Sequence, residues 1–101
     1  MIDREFLAGF TGGDDELEAE LIGFFVENAT LYMTELENAE PGEPWRMVSH
    51  KLKGAARSVG AVVVSDLALV SETLNSADTT LRSEMISELY EAIDCVRKMK
   101  L

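Results

Sequence analysis

Basic residues, cysteine and long apolar runs are all scarce in this chain of 101 residues, and each scarcity excludes a class of protein. Nine lysines and arginines against nineteen acidic residues give a formal charge of −10. That charge argues against a nucleic-acid binder, because such proteins depend on basic surfaces. Apolar runs reach only six residues, whereas a membrane-spanning helix needs about 20. The single cysteine, Cys95, excludes an intramolecular disulfide and a thiolate metal cage.

Size and composition predict a single domain over residues 1–101. A hydrophobic fraction of 47% in 101 residues is enough for one core and too little for two. Asp3 and Glu5 are atypical of a secretory signal, which begins with basic and apolar residues. We therefore expect a cytoplasmic acidic domain that binds neither nucleic acid nor membrane, with a monomer as the simplest state.

Glycine, proline and short polar residues cluster at a few joints, and the segments between them have the apolar spacing of helices. Apolar residues recur every three or four positions over about residues 14–38, 44–59, 63–75 and 80–99. In the first of these segments, the predicted buried stripe consists of Leu17, Leu21, Phe24, Phe25, Ala29, Tyr32 and Leu36. Residues 2–10 predict a short apolar helix. The predicted fold is an all-α, up-down four-helix bundle with a short N-terminal capping helix.

The second long helix is basic in an otherwise acidic chain. Residues 44–65 contain four bases and no acid, whereas residues 1–43 contain twelve acids and one base. At roughly 100° per residue, the helix buries one apolar stripe and directs His50, the only histidine, to the opposite side. The residues predicted to share that outer face with His50 are Arg46, Lys53, Gly54 and Arg57.

The outer face around His50 combines features that suit a phosphoryl acceptor. Gly54 costs about 1 kcal/mol relative to alanine within a helix, and its missing side chain would let another molecule approach the imidazole. Lys53 and Arg57 would stabilise a dianionic group attached to the ring. A nucleophilic imidazole with nearby cations and open access can accept a phosphoryl group.

Residues 50–61, HKLKGAARSVGA, resemble the histidine phosphotransfer (Hpt) domains of two-component phosphorelays. The family pattern is a histidine, an apolar residue two positions later, then Lys-Gly, small residues, and a glycine about ten positions after the histidine. His50, Leu52, Lys53, Gly54 and Gly60 match it. Length, helix count and the place of the histidine on the second long helix agree with the family over essentially the whole chain.

The resemblance implies a carrier rather than a kinase, since the chain contains no ATP-binding motif. His50 would take a phosphoryl group from a receiver-domain aspartate and pass it to another receiver, in a response regulator or a hybrid sensor kinase. Lys53 would stabilise the phosphoryl group and Gly54 would permit docking, together with Arg46, Met47 and Arg57 on the docking face. No cofactor or metal is expected on this chain, because the magnesium ion would belong to the receiver.

Glu72 is a further candidate for the site. If Gly60 closes an antiparallel hairpin, His50 and Glu72 lie at nearly the same height on neighbouring helices. A carboxylate there would fix the imidazole tautomer and raise its nucleophilicity, although an ordinary solvated glutamate would fit the sequence as well.

Two other functions compete with phosphotransfer. A non-catalytic adaptor would bind a signalling partner through the basic face around His50 and transfer nothing. A hydrolase using His50 as a general base is disfavoured, because the convex helix face offers neither a partner nucleophile nor a pocket.

Overall fold

Five helices and no strand make up residues 2–99, which are the residues described by the computed structural model. They are α1 (Arg4–Thr11), α2 (Asp15–Asn38), α3 (Glu43–Ser58), α4 (Val62–Thr73) and α5 (Thr79–Arg97). The all-helical class and all five predicted helices are confirmed, with ends that shift by two residues at most. No helix within residues 2–99 is long and apolar enough to cross a membrane.

Short acidic side chains set the starts of three helices. The carboxylates of Asp3, Asp14 and Asp78 accept hydrogen bonds from the first free backbone N–H groups of α1, α2 and α5. The start of α3 has no such side chain and contains Pro44, whose ring fixes the backbone angle that a first helical turn requires. The starts of these four helices therefore follow from local chemistry that is visible in the sequence.

The four longer helices pack as neighbours around one core. α2 packs against α3 and α5, α4 packs against the same two helices, and α1 packs on α2. The described residues form an elongated body of 43 × 20 × 17 Å. Its largest fully buried side chains are Trp45, Leu7, Met33, Leu36, Leu52, Leu89 and Ile93.

The predicted stripe of α2 is partly wrong. Phe25, Ala29 and Leu36 are buried as expected, but Phe24 is 62% exposed and Leu17 is 38% exposed. The buried face is completed by Ile22 and Met33, together with Glu18, which accepts a hydrogen bond from Thr11. The core of α2 is therefore rotated by a fraction of a turn from the predicted stripe.

Arg82 of α5 ties the end of α2 to the start of α3. Its Nη2 donates hydrogen bonds to the carbonyl oxygens of Leu36, Glu37 and Ala39, where α2 ends. Its guanidinium carbon also lies 4.6 Å from the ring centroid of Trp45 on α3. One cation thus satisfies unpaired helix carbonyls and covers the aromatic ring that anchors α3.

Gly60 occupies the tight turn between α3 and α4. Its φ is +72°, and its carbonyl accepts a hydrogen bond of 2.8 Å from the backbone N–H of Asp3. A Cβ placed there would lie 3.1 Å from Cδ1 of Phe6 and 3.2 Å from the carbonyl oxygen of Asp3. The turn therefore requires glycine both for its backbone angle and for the close passage of the N-terminal segment.

We expect Gly60→Ala to destabilise the fold more than Gly12→Ala. Both positions have positive φ, but a Cβ at Gly12 has no atom within 4 Å. Gly12→Ala should lower the free energy of unfolding by about 1 kcal/mol, and Gly60→Ala by about 2 kcal/mol or more. Urea denaturation followed by circular dichroism measures both, and equal losses would contradict the crowding at Gly60.

Candidate functional site

Helix α3 presents His50 to solvent because its other side is held in the core. Trp45, Leu52 and Ala56 are almost completely buried, and they lie on the face of α3 that meets the rest of the domain. The His50 side chain, on the outer face, is 71% exposed. The structure therefore places the histidine side chain outward, as the helical spacing predicts.

A pair of buried hydroxyls holds α3 and α4 together beside the histidine. The Oγ atoms of Ser49 and Ser71 are 2.6 Å apart, and neither residue is exposed. The Trp45 Nε1 donates a hydrogen bond of 2.9 Å to the carbonyl oxygen of Ser71. Ser49 precedes His50 and Ser71 precedes Glu72, so these contacts fix the relative height of the two helices at the site.

Glu72 contacts both His50 and Lys53. Its Oε1 lies 2.9 Å from Nδ1 of His50. The Lys53 Nζ lies 2.9 Å from Oε1 and 3.1 Å from Oε2 of the same carboxylate. The side chains of Lys53 and Glu72 are only 11% and 15% exposed, so this ion pair is largely withdrawn from water.

The charge state of Glu72 determines which ring nitrogen of His50 is available. The hydrogen bond from Lys53 lowers the pKa of Glu72, burial opposes that effect, and the hydrogen bond from His50 lowers the pKa further. At neutral pH the group is therefore a carboxylate, which can only accept hydrogen bonds. We accordingly assign the neutral imidazole as a donor at Nδ1, which leaves the lone pair of Nε2 free.

Lys53 is the site residue whose predicted position is wrong. The helical spacing put it on the outer face near His50, but only 9% of the residue is exposed and its ammonium lies against Glu72. A lysine can bury its aliphatic stem while its charged end keeps a polar partner, and here the charged end reaches the Glu72 carboxylate on α4. Its charge is therefore directed to Glu72 rather than to open solvent.

The other predicted site residues surround His50 on the surface. Gly54 is exposed, and a Cβ added there would meet no atom within 4 Å. Arg57 is exposed, and Met47 is 54% exposed. The guanidinium of Arg46 is paired with Glu43, with a shortest N–O distance of 2.6 Å. A shallow groove of about 270 Å³ is lined by Arg46, Met47, His50, Lys51 and Glu72.

Two features near the histidine were missed in the sequence. The Ser49–Ser71 pair has only a weak signal there, namely a small polar residue beside His50 and another beside Glu72. Leu31 of α2 is 64% exposed, one turn before Glu35, whose carboxylate lies 3.9 Å from Nζ of Lys51. Leu31 is thus an exposed apolar side chain on α2, which packs against α3.

The site combines an exposed imidazole with a largely buried carboxylate–ammonium pair. Within residues 2–99, no group of three or more His, Cys, Asp or Glu side chains is arranged to hold a metal ion. The His50 side chain is mostly exposed, and its Nδ1 contacts Glu72, which is itself paired with Lys53. Such an arrangement can donate an electron pair from Nε2 to an electrophile that approaches from solvent.

Lys53→Met should raise the pKa of Glu72, because it removes the strongest of the interactions that lower it. A carboxyl group whose pKa is lowered by folding adds stability above its unfolded pKa, and that stability disappears as pH falls through the folded pKa. As pH falls, the variant should therefore lose the stability contributed by ionised Glu72 at a higher pH than the wild-type protein does. Carboxyl carbon NMR titration measures the shift. Lys51→Met is the control, since Lys51 faces Glu35 rather than Glu72. An unchanged pKa of Glu72 in Lys53→Met would contradict the role assigned to Lys53.

Comparison with known protein families identifies a match over most of the chain. The family model for the Hpt domain matches residues 20–98, which is most of the chain and includes α3, α4 and the His50 site. Searches of curated proteins and of solved structures each returned no match. Because the family match spans more than half of the sequence and contains the exposed histidine, this chain belongs to the Hpt domain family.

Proposed function

We propose that His50 is the residue that carries the phosphoryl group. Hpt domains are phosphocarriers that exchange phosphoryl groups with receiver domains of two-component systems, and they are not kinases. The contact between Nδ1 of His50 and Glu72 carries the assignment to this residue, because it leaves Nε2 as an exposed nucleophile. The donor would be the aspartyl phosphate of one receiver, and the acceptor would be the aspartate of another.

In the proposed step, the lone pair of Nε2 attacks the phosphorus of the aspartyl phosphate. A nitrogen–phosphorus bond forms, the bond between phosphorus and the acyl oxygen breaks, and the aspartate leaves as a carboxylate. The proton stays on Nδ1, and the resulting cationic ring is stabilised by the Glu72 carboxylate. The reverse sequence transfers the group from Nε2 to the second receiver, so the same hydrogen bond serves both directions.

Lys53 and Arg57 would both act through their positive charge, each from a different position. Lys53 keeps Glu72 ionised and holds its carboxylate in place, and its ammonium adds positive charge near the phosphoryl group. Arg57 is exposed on the outer face one turn beyond Lys53, where it can meet the phosphoryl oxygens or the receiver. Arg46, paired with Glu43, would contribute at the edge of the docking face.

The receiver would dock on the outer face of α3 and the adjoining part of α2. Gly54, which has no side chain, would give the receiver's backbone close access to the ring, and Met47 on α3 and Leu31 on α2 would supply exposed apolar area. We assign the magnesium ion to the receiver and no cofactor to this chain. A monomer in the cytoplasm is the state in which we expect this exchange to occur.

We also interpret α2–α5 as an up-down four-helix bundle with α1 across one end. Each of these helices packs on two of the others, and the connections between them have three to five residues. In such a bundle α3 has one face in the core and one in solvent, which leaves a convex surface for a receiver rather than a pocket for a small substrate.

Incubation with phosphoramidate should add one phosphoryl group to the wild-type protein and none to His50→Gln. The reason is that phosphoramidate phosphorylates exposed histidines, and His50 is the only histidine in the chain. Intact-mass analysis measures the gain, which should be labile in acid and stable in base. Glu72→Gln should slow the gain, since an amide stabilises the cationic ring less than a carboxylate does.

The same preparation separates a carrier from an adaptor. Phosphorylated wild-type protein should lose its phosphoryl group to a purified receiver domain in the presence of magnesium. No gain of mass on the wild-type protein would contradict the carrier proposal. It would favour an adaptor that binds its partner through the face around His50.

Gly54→Gln should slow transfer to a receiver by about tenfold or more, because the added side chain would stand where the partner docks. It should not destabilise the free protein, since the position has no neighbour within 4 Å and glycine disfavours helix by roughly 0.5 kcal/mol relative to glutamine. Gly23→Gln on α2 is the matched control, being equally unhindered. Equal transfer rates in the two variants would contradict docking over Gly54.

A further inference from the structure

A second groove lies between α4 and α5. It has a volume of about 300 Å³ and is lined by Val63, Leu67, Glu88, Glu91, Ala92 and Cys95. Its apolar part comes from both helices: Val63 is 42% exposed, Leu67 is half-buried and Ala92 is 7% exposed. The small side chain of Ala92 lets another backbone approach the floor closely.

The groove is on the opposite side of α4 from the histidine site. Val63 and Leu67 are nine and five positions before Glu72, which places them roughly 180° and 140° from it around the helix axis. Glu72 faces α3 and contacts His50, whereas Val63 and Leu67 border α5. A molecule in this groove would therefore leave the face used by a receiver free.

The charges along the rim of the groove are mainly acidic. α4 contains no lysine, arginine or histidine, and α5 contains none between Arg82 and Arg97. Glu88 and Glu91 are exposed and form no ion pair within residues 2–99. Asp66, on the outer face of α4 close to Val63, is also exposed without an ion pair in that part of the chain. The groove therefore has an apolar floor and an acidic rim, and the basic side chains at its C-terminal end, Arg97 and Lys98, are paired with Asp94.

We propose that the α4–α5 groove binds an amphipathic helix of a partner protein that carries lysine or arginine beside its apolar stripe. The apolar stripe would cover Val63, Leu67 and Ala92, and the basic residues would pair with Glu88 and Glu91. A second copy of this chain fits less well, because the same acidic rim would face another chain of net charge −10. The partner protein would bind at the same time as a receiver and would keep this domain close to that receiver.

The test uses the full protein and a synthetic helical peptide of leucine and lysine, about 14 residues or four turns long. Cys95 lines the groove, is exposed and is the only cysteine. Its rate of alkylation therefore reports whether the groove is occupied, and no probe has to be added to the protein beforehand. The peptide should slow alkylation of Cys95 severalfold and shift the backbone amide NMR signals of α4 and α5. Added salt should weaken this protection. A leucine–glutamate peptide and a lysine–serine peptide should protect far less.

Val63→Asp and Val62→Asp form a matched pair. Both valines are 42% exposed and both lie in the first turn of α4, where an added acid is equally favourable, but only Val63 lines the groove. Val63→Asp should weaken the peptide affinity by about tenfold, and Val62→Asp should leave it nearly unchanged. His50→Gln should also bind normally, so a failure of phosphotransfer would not be mistaken for a failure of this groove.

Several outcomes would overturn the proposal. Binding that leaves Cys95 fully reactive would place the peptide elsewhere, for example on the acidic α2. Equal protection by the lysine–serine peptide would mean charge attraction without use of the apolar floor. A dimer in sedimentation analysis that Val63→Asp dissociates would assign the groove to a second copy of this chain instead.

Discussion

The carboxylate of Glu72 meets two side chains of the neighbouring helix, the imidazole of His50 and the ammonium of Lys53. Lys53 lowers the pKa of this carboxyl, so the group stays ionised although its side chain is mostly withdrawn from water. An ionised Glu72 can only accept a hydrogen bond, so we assign the proton of the neutral ring to Nδ1 and the free lone pair to Nε2. The chemistry assigned to His50 therefore depends on a helix-to-helix contact and not on the histidine alone.

The rest of the fold keeps α3 and α4 in the register that this contact requires. Ser49 and Ser71 join the two helices one residue before His50 and Glu72. Gly60 turns the chain tightly between them, and Arg82 covers Trp45 at the far end of α3. A slip of one residue would rotate the Glu72 side chain by roughly 100° and break its contact with the imidazole. Packing at these points thus sets the position of a solvent-exposed imidazole.

The sequence predicted those features that follow from local chemistry and helical spacing. The five helices, the outward His50 and the height of Glu72 belong to this group, since caps, glycine turns and a period of 3.6 residues determine them. Phe24 and Lys53 were misplaced because burial near the edge of a helix depends on where its neighbours pack. Periodicity alone does not give that information. The contacts of Arg82 with α2, 43 or more residues away in sequence, left no local signal.

The central claim is that Glu72 holds Nδ1 of His50 and so directs the phosphoryl group to Nε2. The most direct test is a long-range ¹H–¹⁵N NMR spectrum of the phosphorylated protein with ¹⁵N-labelled histidine, which distinguishes the two ring nitrogens. The account predicts phosphorus on Nε2 and a proton on Nδ1, hydrogen-bonded to Glu72. A phosphoryl group on Nδ1 would contradict it, because that nitrogen would then be the nucleophile and Glu72 could not be holding its proton.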